Sequence, residues 1–163
     1  MSHLKPYQSK ILSVAALKTQ LATWRNTNQK VVFTNGCFDL LHQGHIIYLE
    51  KARSLGNRLI VGLNTDASIQ SIKGPSRPIK DEQSRSAILA AMSFVDAVVL
   101  FNEKTPVNLI TCVVPDVLVK GGDYKINEIV GHELVQKYQG KVCTVDFVPG
   151  YSSSQLIKAI KEE

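Results

Sequence analysis

The sequence predicts an α/β fold: an open, doubly wound, five-stranded parallel sheet with helices on both faces. Three observations predict it. Short apolar runs such as Val31-Val32-Phe33, Leu59-Ile60-Val61 and Val117-Leu118-Val119 have the near-continuous hydrophobicity of strands buried on both sides. These runs alternate with stretches of helical periodicity, the pattern of repeated strand–helix units. About five such runs are too few for an eight-stranded barrel, so an open sheet is the remaining arrangement. At 163 residues the chain is expected to be one domain. An arm and an amphipathic helix occupy 1–28, and the α/β core 29–163.

The elements follow in order. Residues 1–9 read as an arm, and 11–26 as a helix with Ile11, Val14, Leu17, Leu21 and Trp24 on one packed side. Asn26-Thr27-Asn28 ends it. A strand over 30–34 runs into the turn Asn35 to Asp39, and a helix over 44–55 is closed by Gly56. A strand over 58–63 precedes a short helix over 66–72. The stretch 73–80, with Gly74, Pro75 and Pro78, is a loop. Helix 81–92 leads to strand 97–101, and Thr105-Pro106 starts a helix over 105–112. Strand 117–119 opens into Gly121-Gly122-Asp123. A helix over 128–138 stops at Gly140, and strand 142–147 and a last helix over 153–161 finish the pattern.

Composition narrows the function. Apolar residues are 44% and charged residues 20%, which suits a globular domain and excludes disordered, collagenous and coiled-coil chains. No apolar run reaches the roughly 18 residues of a membrane helix, and no secretory leader is visible. Cys37, Cys112 and Cys143 are odd in number and far apart, so a disulfide framework or zinc ribbon is not expected, and a reducing cytoplasm is. The net charge of +5 is wholly N-terminal: Lys5, Lys10, Lys18, Arg25 and Lys30 precede the first acid, Asp39. The rest is balanced, which argues against a nucleic-acid footprint.

Ligands of open α/β sheets bind beyond the carboxyl ends of the strands. The loops 34–45, 64–66, 73–80, 120–124 and 148–154 are therefore the candidates. The first contains His42-Gln43-Gly44-His45 where a helix begins. Residues three apart share a helix face, the free N–H groups of a helix start favour an anion, and Gly44 lets a phosphate approach the backbone. Two imidazoles aimed at one point suit a phosphoryl group that gains charge in its transition state. No third ligand at recognisable spacing supports a metal site, and Cys37 beside His42 lacks the further partner of a nucleophile pair.

Gly36-Cys37-Phe38-Asp39 followed by His42-Gln43-Gly44-His45 resembles the His-x-Gly-His signature of the nucleotidyltransferase superfamily, in its cytidylyltransferase-like branch. Gly150-Tyr151-Ser152-Ser153-Ser154 is similar in kind to that branch's second motif. Over about 10–160 the chain further resembles the heptose 1-phosphate adenylyltransferase domain of bacterial ADP-heptose synthesis. Phe33 to His42, Gly62 to Ser68, Lys73 to Ile79 and Val119 to Tyr124 carry that likeness. Phe147-Val148-Pro149 stand where cytidylyltransferases carry Arg-Thr-Glu, which weighs against CTP.

The resemblance implies transfer of AMP from ATP to a sugar 1-phosphate, with Mg²⁺ carried by the ATP phosphates. It implies a separate heptose kinase in the same pathway, and suggests a homodimer. No metal ligand, nucleic-acid partner or membrane partner is expected of the chain. It casts His42, His45, Lys73 and Arg85 as catalytic residues. Cys37, Phe38, Gly44, Gly121, Asp123, Ser152, Ser153 and Ser154 would bind nucleotide, and Asp39, Asp66 and Arg77 the acceptor. The alternative within the same superfamily is a cytidylyltransferase acting on glycerol 3-phosphate or a similar small phosphoalcohol.

Overall fold

The computed structural model describes residues 6–122, 124–146 and 157. Within them β1 (Val31–Gly36), β2 (Arg58–Asn64), β3 (Ala97–Phe101), β4 (Val117–Gly121) and β5 (Lys141–Val145) form one sheet, in the order β3-β2-β1-β4-β5. Every pairing is parallel. The doubly wound sheet expected from the apolar runs is therefore what the chain builds. β1 sits between β2 and β4, so the connections leave it in opposite directions and open a crevice at its carboxyl end.

Strand alternation divides the core into two layers. Val31 and Phe33 of β1, with Ile60, Val99 and Leu118, pack on one face against Leu17, Leu21 and Trp24 of α1 (Val14–Asn26) and Leu109, Ile110 and Val113 of α5 (Val107–Val113). Val32, Val61, Leu63, Val98 and Val119 pack on the other face. Their partners are Tyr48, Leu49 and Ala52 of α2 (Gln43–Ser54) and Leu89 and Ala90 of α4 (Glu82–Ala91). Helices thus cover both faces, as parallel strands require. α3 (Asp66–Lys73) and α6 (His132–Lys137) complete the helices among the described residues.

Several element boundaries differ from the sequence reading. α1 starts at Val14, because the Ser13 side chain accepts from the amide of Ala16 at 3.2 Å and caps it. Ile11 lies outside the helix in a parallel bridge to Val98, and Val14 is exposed. The helix expected over 128–138 is broken: Ile126–Glu128 form a 3₁₀ turn, and Gly131, at φ 88°, redirects the chain before α6. β4 runs two residues further than expected, carrying Lys120 and Gly121 to the crevice. The last helix expected over 153–161 falls, but for residue 157, outside the described residues.

Part of the N-terminal charge has a local use. Lys10 donates to the carbonyl of Met92 at the end of α4 at 2.9 Å, and Arg25 donates to the carbonyl of Val113 at the end of α5. Cations at helix C-termini satisfy carbonyls that have no helical partner and oppose the negative end of the helix dipole.

Candidate active site

A pocket of about 420 Å³ opens at the carboxyl ends of β1, β2 and β4. Asn35 and Gly36 end β1, Asn64 ends β2, and Lys120 and Gly121 end β4; all five line it. Beneath it Tyr48 of α2 bonds Thr34 of β1 at 2.7 Å and donates to the carbonyl of Val119 in β4 at 3.2 Å. This buried hydroxyl ties the helix to both strands of the crevice, so the start of α2 is held at a fixed place.

Of the residues singled out in the sequence, Cys37, Phe38, Asp39, His45, Lys73, Arg77 and Gly121 line the pocket. Phe38 has φ 45°, a left-handed conformation unusual for a residue with a side chain. It folds the loop back so that its ring lies 5.4 Å from that of His45.

His42 caps α2, and His45 occupies its third position. The rings are 4.0 Å apart, and Nδ1 of His45 accepts the amide of His42 at 3.4 Å. An imidazole nitrogen that accepts carries no proton, so the ring proton of His45 is on Nε2. Burial, then the charges of His42 and Lys73, push the His45 pKa down to about 4. Burial also lowers that of His42. At neutral pH His45 is therefore an uncharged Nε2–H donor on the pocket wall.

Asp39 is 3% exposed and holds the loop opposite. Its carboxylate accepts from Arg77 Nε at 2.7 Å, and from the amides of Ile79 and Lys80, both at 2.9 Å. Burial alone would raise its pKa. The two amides and the Arg77 guanidinium outweigh that, and the net direction is down. Both carboxylate oxygens are engaged within the fold, so Asp39 anchors the Arg77–Lys80 loop while lining the pocket.

Arg85 differs from expectation. It is fully buried and absent from the pocket wall. It donates to the carbonyls of Cys37, Asn64 and Lys80, and pairs with Asp66 at 2.6 Å. Asp66 thus faces Arg85, and Thr65 rather than Asp66 caps α3. His42, Gly44 and Asp66 likewise lie off the pocket lining. Asp123, Ser152, Ser153 and Ser154 lie outside the described residues.

The structure adds Lys104 and Thr105 from the loop after β3, Lys120, and Tyr124 and Glu128 after β4. Lys120 donates to the carbonyl of Asn35 at 3.1 Å, with its Nζ 5.8 Å from the Tyr124 ring. The loop after β3 was legible in principle, since it follows a strand's carboxyl end like the others. Neither Lys73 nor Lys104 forms an ion pair with a described residue. Among the described residues no three His, Cys, Asp or Glu side chains converge as a metal site, and no helix is long and apolar enough to cross a membrane.

Fold and site together define an α/β domain whose pocket lies at the carboxyl ends of its parallel strands, with His45 of α2 on the wall. Residues 33–159 match the cytidylyltransferase-like family model, and the chain belongs to that family. The resemblance carried by His42-Gln43-Gly44-His45 is thereby borne out. The bifunctional protein HldE of Methylobacillus flagellatus is 49% identical over 151 residues, covering 93% of this chain and 31% of that protein. The HldE protein of Syntrophotalea carbinolica is 52% identical over 158 residues, covering 97% and 32%. The chain thus spans about a third of the length of these curated relatives. Among solved structures, a lipopolysaccharide core biosynthesis protein from Thermoplasma volcanium GSS1 superposes with a TM-score of 0.59 at 31% identity, over 74% of this chain and 97% of that one. A pantoate-beta-alanine ligase from Francisella tularensis, complexed with beta-gamma ATP and beta-alanine, shares the fold at 18% identity and a TM-score of 0.56, over 93% of this chain and 76% of that one.

Proposed function

We propose that this domain is an adenylyltransferase that moves AMP from ATP to a sugar 1-phosphate, with D-glycero-D-manno-heptose 1-phosphate as acceptor. The products are ADP-heptose and pyrophosphate. The observation that carries this reading is the neutral His45 donor, set in one pocket with Lys73 and Lys104. The identity to the bifunctional HldE proteins and to a lipopolysaccharide core biosynthesis protein supports the choice of acceptor. The phosphorylation that makes this acceptor is a kinase step, in line with a second activity in the bifunctional relatives.

The chemistry needs no strong base, because the acceptor phosphate is already ionised. One of its oxygens attacks the α-phosphorus of ATP, the bond from that phosphorus to the bridging α–β oxygen breaks, and pyrophosphate leaves in line. The Nε2–H of His45 donates to the phosphoryl oxygens as they gain charge. Its neutrality means that it loses no proton to the substrate and simply donates. His42 fixes the helix start and the His45 tautomer. Lys73, Lys104 and the Arg77 held by Asp39 attract the anionic acceptor. Gly121, on the pocket wall, would meet the nucleotide, and Asp123 and Ser152 to Ser154 would complete its site. Mg²⁺ on the phosphates would supply further charge neutralisation.

The test crosses ATP and CTP with heptose 1-phosphate and glycerol 3-phosphate and measures pyrophosphate release. Release with ATP and heptose 1-phosphate alone is the expected result. Release with CTP and glycerol 3-phosphate would replace this reading with that of a cytidylyltransferase.

A further inference from the structure

Arg85 holds a place that neither a surface charge nor a substrate ligand would take. Its guanidinium is sealed from solvent, yet among the described residues a single carboxylate pairs with it, that of the half-buried Asp66. Its other bonds go to main-chain carbonyls: Cys37 at 2.7 Å, Asn64 at 2.8 Å and Lys80 at 3.0 Å. These carbonyls belong to three separate segments: the loop after β1, the end of β2, and the loop before α4. Cys37 lines the pocket, and on the adenylyltransferase reading it would face the nucleotide. Lys80 closes the loop that carries Arg77 to the pocket, where on the same reading Arg77 would meet the acceptor.

Lys80 is held through both of its main-chain polar groups. Its carbonyl accepts from Arg85, and its amide donates to Asp39 at 2.9 Å. Asp39 in turn follows Cys37 by two residues and holds Arg77 at 2.7 Å. The chain of contacts is closed: Cys37, Arg85, Lys80, Asp39 and back to Cys37, with Arg77 hung from Asp39. A planar fork with donors on separate edges can span the Cys37 and Lys80 carbonyls together. An ammonium is a point charge on a flexible stem and does not fix two such directions at once.

We propose that Arg85 is a positioning residue that sets the nucleotide-side loop and the acceptor-side loop at one fixed spacing, and so aligns the two substrates for in-line attack. It acts through Cys37 and Lys80 and touches neither substrate. The catalytic part of this inference rests on the adenylyltransferase reading above; the coupling of the two loops does not.

The experiment therefore has two readouts on the full chain, wild type against Arg85→Lys. Hydrogen exchange by mass spectrometry follows peptides covering 36–42 and 76–82. Both segments should lose protection together, since one group ties them. Loss in one with wild-type protection in the other would overturn the coupling. Steady-state kinetics then separates positioning from mere stability. ATP affinity should fall far less than kcat/KM for the sugar phosphate, which drops on the order of 10²-fold, the scale of a misplacement near 1 Å. Wild-type kinetics, or losses in ATP binding and turnover that both track the folded fraction, would overturn the positioning role. If Arg85→Lys does not fold, Asp39→Asn loosens the same Lys80 peptide from its amide side and should give the same paired exchange and the same kinetic split. Wild-type protein that exchanges as described but releases no pyrophosphate would sink the adenylyltransferase reading and leave the loop coupling standing.

Discussion

Lowering the pH should leave His45 uncharged well below the point at which an ordinary imidazole takes up its proton. Three features of the site oppose protonation: burial, the neighbouring His42, and the charge of Lys73. In addition, Nδ1 accepts the amide of His42, a bond that an imidazolium cannot keep. The pKa falls from 6.5 in the unfolded chain to about 4 in the fold. Between these values the unfolded state binds the proton and the folded state does not, so stability falls as pH drops from 6.5 towards 4. The slope is at most about 1.4 kcal/mol per pH unit, and partial solvent access reduces the full cost to about 2–3 kcal/mol. Ring carbon and proton shifts of His45, followed by NMR from about pH 8 to about pH 4, give the midpoint directly. Urea melts of the wild type and His45→Asn at neutral and mildly acidic pH give the linkage, and the variant should lose less stability on acidification. A His45 midpoint at the ordinary imidazole value, about 6.5, would refute the reasoning and make the group an imidazolium donor over much of the working range.

Other consequences are open to direct measurement. His45→Ala should lower kcat on the order of 10²-fold with an unchanged far-UV spectrum, the scale of losing one transition-state donor; wild-type turnover in that variant would remove His45 from the mechanism. Asp39→Ala leaves the half-buried Arg77 and the amides of Ile79 and Lys80 without their acceptor. It should cost about 3–5 kcal/mol in urea denaturation. Gly62→Ala puts a methyl 2.9 Å from the Phe33 ring in the central layer, with Asn35 and Leu109 at 3.2 Å. That overpacking should cost about 1–3 kcal/mol, and a neutral result would show that the layer has room to relax.

The sheet was legible because β1 to β4 are largely buried, and a strand in that position is a continuous apolar run whatever its neighbours do. The run from Ala97 to Phe101 shows this best, since the apolar stretch and the observed β3 have the same bounds. Helix ends were less legible. Val14 fits the helical spacing of Leu17 and Leu21, yet one turn at the helix start lies beyond the sheet's cover and is exposed. Gly131 broke the helix expected over 128–138 because its φ of 88° serves a turn that periodicity does not register. At the site, His45 was legible from its place at a helix start after β1, and Lys73 and Arg77 from the candidate loop 73–80 together with the family resemblance. Arg85 was not. A charge on an amphipathic helix has the same pattern whether it meets water, a phosphate or, as here, the carbonyls of Cys37, Asn64 and Lys80. The sequence carries no signal for main-chain acceptors, since every residue supplies one. The anchoring bonds of Asp39 were hidden for the same reason: the amides of Ile79 and Lys80 that reach its oxygens are invisible until the chain is folded.

The most direct test of the account follows the α-phosphorus. The protein is incubated with ATP labelled at that atom, Mg²⁺ and heptose 1-phosphate, and the products are separated. Label in a nucleotide-sugar, matched mole for mole by unlabelled pyrophosphate, is the expected result. Label recovered as free AMP, or as ADP alongside a phosphorylated sugar, would show hydrolysis or γ-phosphoryl transfer instead and would contradict adenylyl transfer at the His45 site.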